Sequence, residues 1–210
     1  MKVVAFNGSA KKDGNTAALV RILFEELEKE GVETELIQLA GTNIHGCRAC
    51  SSCFKNKNLR CIFEDDPVND YVKKMIEADG IILASPVYFA NMSSELKALI
   101  DRAGFVMRAN GNPLRRKVGA CVVSARRAGA VFTHDAINHF FFISEMVVPG
   151  SSYWNMGFVP VRGGDVHDDK EGEKTIRDLG KNMVWILKCI RADPSKIVSE
   201  KIDASRMMDT

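Results

Sequence analysis

No apolar run in these 210 residues approaches the roughly 20 that a membrane helix needs. No membrane partner is expected. Neither sign of charge prevails: the formal net charge is +2 and the charges are evenly spread, which argues against a nucleic-acid or anionic-membrane partner. A secretion signal is also missing, because a strand-like apolar run begins at once, so a cytoplasmic location is expected. Linkers, internal repeats and low-complexity runs are absent. Six cysteines without a signal or a small secreted scaffold do not make a disulfide framework. Cys121 on an apolar strand and Cys189 on the terminal helix read as small core residues.

What is present is an alternation of apolar runs and amphipathic stretches. Val3 to Phe6 and Gly80 to Ala84 read as buried strands, Glu33 to Leu39 as a strand nearer an edge, and Val118 to Ser124 as a further strand. Met146-Val147-Val148 reads as the start of the last strand. Helical spacing marks Val20 to Leu27, Val68 to Glu77, Leu96 to Met107, Phe132 to Glu145 and Ile176 to Ile190. Five strands and five helices in this rhythm predict an α/β fold, a doubly wound parallel sheet with helices on both faces. One domain is expected over 1–192, with a cysteine-rich insertion at 41–66 and a polar tail at 193–210. In such sheets ligands bind at the carboxyl ends of the strands, near the switch in strand order. The loops beginning at Gly8, Ser85 and Ser124 are therefore the candidates.

The segment from Gly8 to Thr16 leads from a strand into a helix, where free N–H groups and the helix dipole suit a phosphate. Ser9, Asn15 and Thr16 can donate to phosphate oxygens, and Lys11 adds charge. A Walker loop is excluded, because five residues separate the glycines and Asn15 stands where the lysine belongs. The Gly-x-Gly-x-x-Gly dinucleotide fingerprint is absent. The alternative is a plain helix cap. In Ser85-Pro86-Val87-Tyr88-Phe89-Ala90-Asn91-Met92-Ser93, the proline stops the strand and two aromatics follow at its end. They pack either on their own domain or under a flat aromatic ligand.

Cys47, Cys50, Cys53 and Cys61 are spaced C-x2-C-x2-C-x7-C. Four such thiolates suit zinc or a 4Fe–4S cluster, and the tight three-cysteine run is closer to ferredoxin spacing than to paired zinc motifs. Unligated thiols are the third possibility. Arg48, Lys55, Lys57 and Arg60 would offset the thiolate charge.

Taken together, Gly8-Ser9 with Gly14-Asn15-Thr16, Ser85-Pro86-Val87-Tyr88, Leu96-Lys97-Ala98 with Asp101-Arg102, and the cysteine run followed by Asp65-Asp66 resemble the NAD(P)H-dependent FMN reductase family. Within it the chain is most similar to the iron–sulfur flavoproteins. The resemblance implies a flavodoxin-like fold and non-covalent FMN. Its phosphate would lie on Ser9, Lys11, Asn15 and Thr16, and its ring against Pro86, Val87, Tyr88, Phe89 and Asn91. A third flavin loop corresponds to Ser124 through Ala130, with Ser124, Arg127 and Gly129 as contacts. Relatives carry a Gly-Gly pair there, and only Gly129 remains here.

The implied function is electron transfer from NAD(P)H to a quinone, flavin or similar small-molecule acceptor. The alternative is a carrier that passes electrons between ferredoxin-like partners through FMN and a 4Fe–4S cluster. A non-redox domain that kept the fold is a third class. The flavin carries the chemistry, so no catalytic acid or base is assigned, although His45, His134, His139 and His167 are available for proton work. A homodimer or homotetramer is implied, and Phe140-Phe141-Phe142, pointing three ways around a helix, is consistent with a subunit interface.

Overall fold

The computed structural model describes residues 1–160 and 163–192, so the expected tail from residue 193 lies outside the described residues. The strands are β1 (Lys2–Asn7), β2 (Glu33–Gln38), β3 (Gly80–Pro86), β4 (Val118–Ala125) and β5 (Met156–Phe158). The helices are α1 (Asn15–Glu28), α2 (Ser52–Asn56), α3 (Val68–Glu77), α4 (Ser94–Ala109), α5 (Ala130–Ile143) and α6 (Lys170–Ala192). A 3-10 turn (Val166–Asp168) precedes α6.

Period-two alternation sorts the strand side chains onto two faces. Val3, Ala5, Ile82, Ala84, Ala120 and Val122 meet Leu19 and Leu23 of α1 and Leu179 and Met183 of α6. Val4, Phe6, Ile81, Leu83 and Val123 meet Met75 of α3, Leu99 of α4 and Phe141 of α5. Strands buried on both faces read as continuous apolar runs, and that is how β1, β3 and β4 appear in the sequence. The order is β2-β1-β3-β4-β5, parallel throughout. This is the doubly wound, flavodoxin-like order, with β2 at the edge as its alternating pattern suggests. The order reverses between β1 and β3, whose carboxyl ends carry the Gly8 and Pro86 loops.

Three expectations are corrected. The last strand is Met156–Phe158, paired with Val123 to Ala125. Met146-Val147-Val148 makes only an isolated bridge from Val147 to Val118. Pro149 cannot donate to a ladder, so the chain leaves the sheet there and returns at Met156. Cys189 is exposed, whereas Cys121 is buried as expected, and burial pushes its thiol pKa up to about 12. Of the three consecutive phenylalanines, Phe140 and Phe141 are buried and Phe142 is exposed, and the helices number six among the described residues where five are expected. Helix α2, inside the cysteine loop, is too short to leave a periodic signal.

Helices α1 and α6 approach closely because Gly180 lacks a side chain. A Cβ there would lie 2.8 Å from the Glu26 Cβ and 3.1 Å from the Leu23 carbonyl oxygen. Gly180→Ala gains about 1 kcal/mol of helix propensity. Separating the two helices costs roughly 1–3 kcal/mol. Because the close contacts include backbone, the second effect is expected to win. A lower urea midpoint at unchanged m-value would be the observed result, and an unchanged or higher midpoint would contradict it.

Candidate functional site

Three loops interlock at the carboxyl ends of β1, β3 and β4. Gly8 donates its N–H to the Ala84 carbonyl at 2.8 Å, and a Cβ on it would fall 2.6 Å from the Ser93 hydroxyl. Val87 donates to the Ser124 carbonyl at 2.9 Å. The Thr16 and Ser124 hydroxyls are 2.7 Å apart and buried. Gly129 (φ +86°) lies so close to the second loop that a Cβ would meet Ala90 Cα and Val87 Cγ1, each at 2.9 Å. The single glycine of the third loop is thus required twice, by its φ and by this approach.

In the first loop, Ser9 is buried and its backbone N–H donates to Asn7 Oδ1 at 3.0 Å. Its hydroxyl accepts from the Lys11 N–H at 3.1 Å. Gln38 braces the loop, donating from Nε2 to the Ser9 carbonyl and accepting from Asn7 Nδ2. The Asn15 side chain turns away to hold the segment before α6: it donates to the Gly164 carbonyl at 3.1 Å and accepts from the Val166 N–H at 2.9 Å. Asn15 and Thr16 therefore spend their side chains on protein partners. Their backbone remains open. No side chain caps α1, and among the described residues the N–H groups of Asn15, Thr16 and Ala17 meet no acceptor. Exposed Lys11 lies beside them. Orphan donors at a positive helix end, within reach of a lysine, fit a phosphate.

The second loop folds as a two-residue reversal. Tyr88 and Asn91 exchange backbone hydrogen bonds at 2.8 and 3.1 Å across Phe89 and Ala90, whose φ values are +47° and +64°. Such turns favour glycine and asparagine. A phenylalanine held there is strained, and its ring is fully exposed. Pro86 and Val87 are half-buried, and Tyr88 and Asn91 are exposed. Asn91 Oδ1 accepts from the Met92 N–H, Ser85 Oγ accepts from the Ser93 N–H, and Ser93 caps α4. Arg127 is exposed in the third loop. These loops leave exposed aromatic and apolar surface beside a phosphate-ready helix end, which fits a flat ring carrying a phosphate.

The structure brings the four cysteines to one place. Cys47, Cys50, Cys53 and Cys61 line one cavity of about 90 Å³ with Phe54, Phe63, Phe105 and Arg102. None is in a disulfide. Positive φ at Asn43, Ala49, Ser51, Lys57 and Leu59 curls the chain around this cavity, a concentration of strain that points to function. The Ala49 N–H donates to Cys47 Sγ at 3.4 Å. Hydrogen bonds from the Ser52 side chain and backbone hold the Cys50 pKa below its usual value, while burial raises that of Cys53. Among the described residues no three cysteine sulfurs lie mutually within 4.8 Å, whereas the trio His45, Asp65 and Asp66 does present ligand atoms that close.

Sequence reasoning missed what anchors this loop. Arg102 of α4 is almost wholly buried and pairs with equally buried Asp66. Burial alone would lower the Arg102 pKa, but Asp66 and the Cys61 thiol outweigh it and raise it. His45 Nε2 faces Asp65 and Asp66 at 3.5 and 3.7 Å, so the trio is braced as part of this ion pair. Buried Asn69 clamps the far end, accepting from the Cys61 N–H at 2.7 Å and donating to the Cys61 and Phe63 carbonyls at 3.1 Å. The Asp65-Asp66 and Asp101-Arg102 pairs were visible signals, but their meeting was not. His134 is partly covered and bonded to Asn138, and His139 and His167 are exposed, none with a part in either region.

Comparison with known proteins agrees with this geometry. Residues 1–160 match the model of the NADPH-dependent FMN reductase family. An iron–sulfur flavoprotein of Methanocaldococcus jannaschii is 40% identical over 198 residues, spanning 91% of this chain and all of that protein. Another, from Methanosarcina thermophila, is 30% identical over 198 residues, spanning 93% of this chain and all of that one. Among solved structures, RosB with a bound 8-demethyl-8-formylriboflavin-5′-phosphate intermediate superimposes with a TM-score of 0.72 at 17% identity, covering 92% of this chain and 81% of RosB. At that identity the likeness concerns the fold. The chain belongs to the NADPH-dependent FMN reductase family and is an FMN- and NAD(P)H-dependent oxidoreductase related to the iron–sulfur flavoproteins. No described helix is long and apolar enough to cross a membrane.

Gly129→Ala is expected to push the Val87–Asn91 turn off the third loop and to weaken FMN binding at least tenfold, read by fluorescence titration. Gly41→Ala carries the same backbone strain (φ +83°) in open space and is the control. Equal affinity in both variants would separate Gly129 from the flavin loops.

Proposed function

We propose that this oxidoreductase works as an iron–sulfur flavoprotein electron carrier, holding FMN at the three interlocked loops and a 4Fe–4S cluster on Cys47, Cys50, Cys53 and Cys61. The convergence of all four cysteines on one phenylalanine-walled cavity carries this reading. The tight three-cysteine run followed by a fourth cysteine supports a 4Fe–4S cluster over a lone zinc. The names of the two archaeal relatives, each spanned end to end, support it further.

FMN supplies two-electron chemistry with a pyridine nucleotide and one-electron chemistry with a metal centre, and the protein's part is to bind, orient and exclude water. The N–H groups of Asn15, Thr16 and Ala17, with Lys11 and the Ser9 hydroxyl, would hold the phosphate. Asn15 and Thr16 act mainly through backbone, their side chains fixing the loop to Val166 and Ser124. Pro86, Val87, Tyr88, Phe89 and Asn91 would hold the ring, with Ser124, Arg127 and Gly129 completing the third side. At the cysteines, Phe63, Phe54 and Phe105 limit water, while Arg48, Lys55, Lys57 and Arg60 offset thiolate charge. Homo-oligomers are part of the proposal, with exposed Phe142 and Phe132 as interface residues. So is a partner that is either a small-molecule acceptor or a ferredoxin-like protein.

Protein prepared without oxygen is expected to contain FMN with near-stoichiometric iron and acid-labile sulfide. Cys50→Ser should lose the iron and keep the FMN. Full FMN with no iron would leave a simple NAD(P)H-dependent FMN oxidoreductase. Faster reduction by ferredoxin than by NAD(P)H would favour the carrier over an enzyme acting on a quinone or free flavin.

A further inference from the structure

The Arg102 side chain is only 1% exposed, yet its hydrogen bonding is incomplete. Nη1 pairs with Asp66 and reaches the His45 carbonyl at 3.5 Å, and Nη2 reaches the Phe63 carbonyl at 3.4 Å. Nε is buried and meets no acceptor. A charged donor left unmet in a water-poor site is unfavourable, so an acceptor is to be expected where Nε points. Asp66 is already served by Nη1, and nothing in the ion pair explains the idle Nε–H. Arg102 lines the same cavity of about 90 Å³ as the four cysteines.

We infer that Arg102 donates its Nε–H to a sulfur of the cluster carried by Cys47, Cys50, Cys53 and Cys61 and thereby sets the reduction potential of that centre. The inference rests on the iron–sulfur reading of the cysteine pocket. A fixed positive charge and a hydrogen bond to sulfur both favour the form holding one more electron, so they raise the potential. The guanidinium suits this task because it stays charged at every working pH and keeps a planar fork. Asp66 holds Nη1 in place, and the His45 and Phe63 carbonyls, met by Nη1 and Nη2, fix the plane. Arg102 is thus a positioning and tuning residue, distinct from the exposed cations around the loop.

The test is an anaerobic, dye-mediated redox titration of the full holoprotein, following the visible and EPR signals of the cluster beside those of FMN. Arg102→Lys keeps the charge against Asp66 and removes Nε. Asp66→Asn with Arg102→Gln removes the donor while leaving no unpaired charge. Both are expected to lower the cluster midpoint so that the reduced-to-oxidised ratio falls at least tenfold, about 59 mV for one electron. The FMN midpoint should not move. Arg108→Gln, which removes an exposed charge on the same helix but outside the cysteine cavity, should change the ratio less than threefold. Wild-type midpoints in both Arg102 variants, or an equal shift in Arg108→Gln, would overturn the inference while leaving the cluster in place. Loss of the cluster from both Arg102 variants would also overturn it, because a tuning contact is not required for retention. Wild-type protein free of iron and sulfide would instead overturn the reading of the pocket, and the inference with it.

Discussion

The reversal of strand order between β1 and β3 is the constraint on which everything else depends. Because β1 hands the chain outward to β2 through α1, and β3 hands it the other way through α4, the two connections leave the sheet in opposite directions. The carboxyl ends of these neighbouring strands are left with no helix between them. The gap is narrow enough for Gly8 to pack against Ser93 and for its N–H to reach Ala84. It is still open enough for the N-terminus of α1 to keep three donors unpaired. A capping serine at Gly14 would have used one of them. The sequence places glycine there, giving up some helix stability to leave the donors available.

The cysteine loop is stabilised differently. Several of its residues adopt left-handed φ, so it folds against local preference. The compensating interaction is the buried Asp66–Arg102 pair. Removing one partner of such a pair typically costs about 3–5 kcal/mol, because it strands the other charge away from water. Arg102 can be buried at that depth only because Asp66 and two backbone carbonyls meet it. Asn69 does for the Cys61–Phe63 stretch what Arg102 does for the ends of the loop at His45 and Asp66. The loop's shape is therefore set from α3 and α4, not from its own residues. It can tolerate a strained run of cysteines for that reason.

Most of the fold was legible because β1, β3 and β4 are buried on both faces and announce themselves as apolar runs between helical stripes. The exception is instructive. Met146-Val147-Val148 is as apolar as a strand should be, but Pro149 ends its pairing after one bridge, and three residues with a central glycine, Met156–Phe158, complete the sheet instead. So short a strand has no period to read. At the candidate site, Gly8, Asn15, Pro86 and Gly129 were legible because each answers to a backbone rule. Gln38 bracing Ser9, and Asn15 turning towards Val166, were not, since both depend on contacts between residues far apart in the chain. The cysteine spacing pointed to a shared site, but not to the arginine beneath it. An arginine in an amphipathic helix carries no mark of whether it faces water or the core.

Helix α4 binds the two regions into one device. Its cap, Ser93, belongs to the interlock of the first and second loops. Nine residues on, Arg102 reaches the cysteine cavity, followed by Phe105 and Val106. At 1.5 Å per residue these points lie roughly 14 Å apart along the axis. The buried face of α4, Leu96, Leu99, Ala103 and Val106, packs in the core under the sheet, so this separation is fixed by the sheet. Evolution of either loop can then proceed without disturbing the distance between them. The first and second loops and the cysteine cavity are thus held in register through one helix, anchored at Ser93 on one side and at Arg102 on the other.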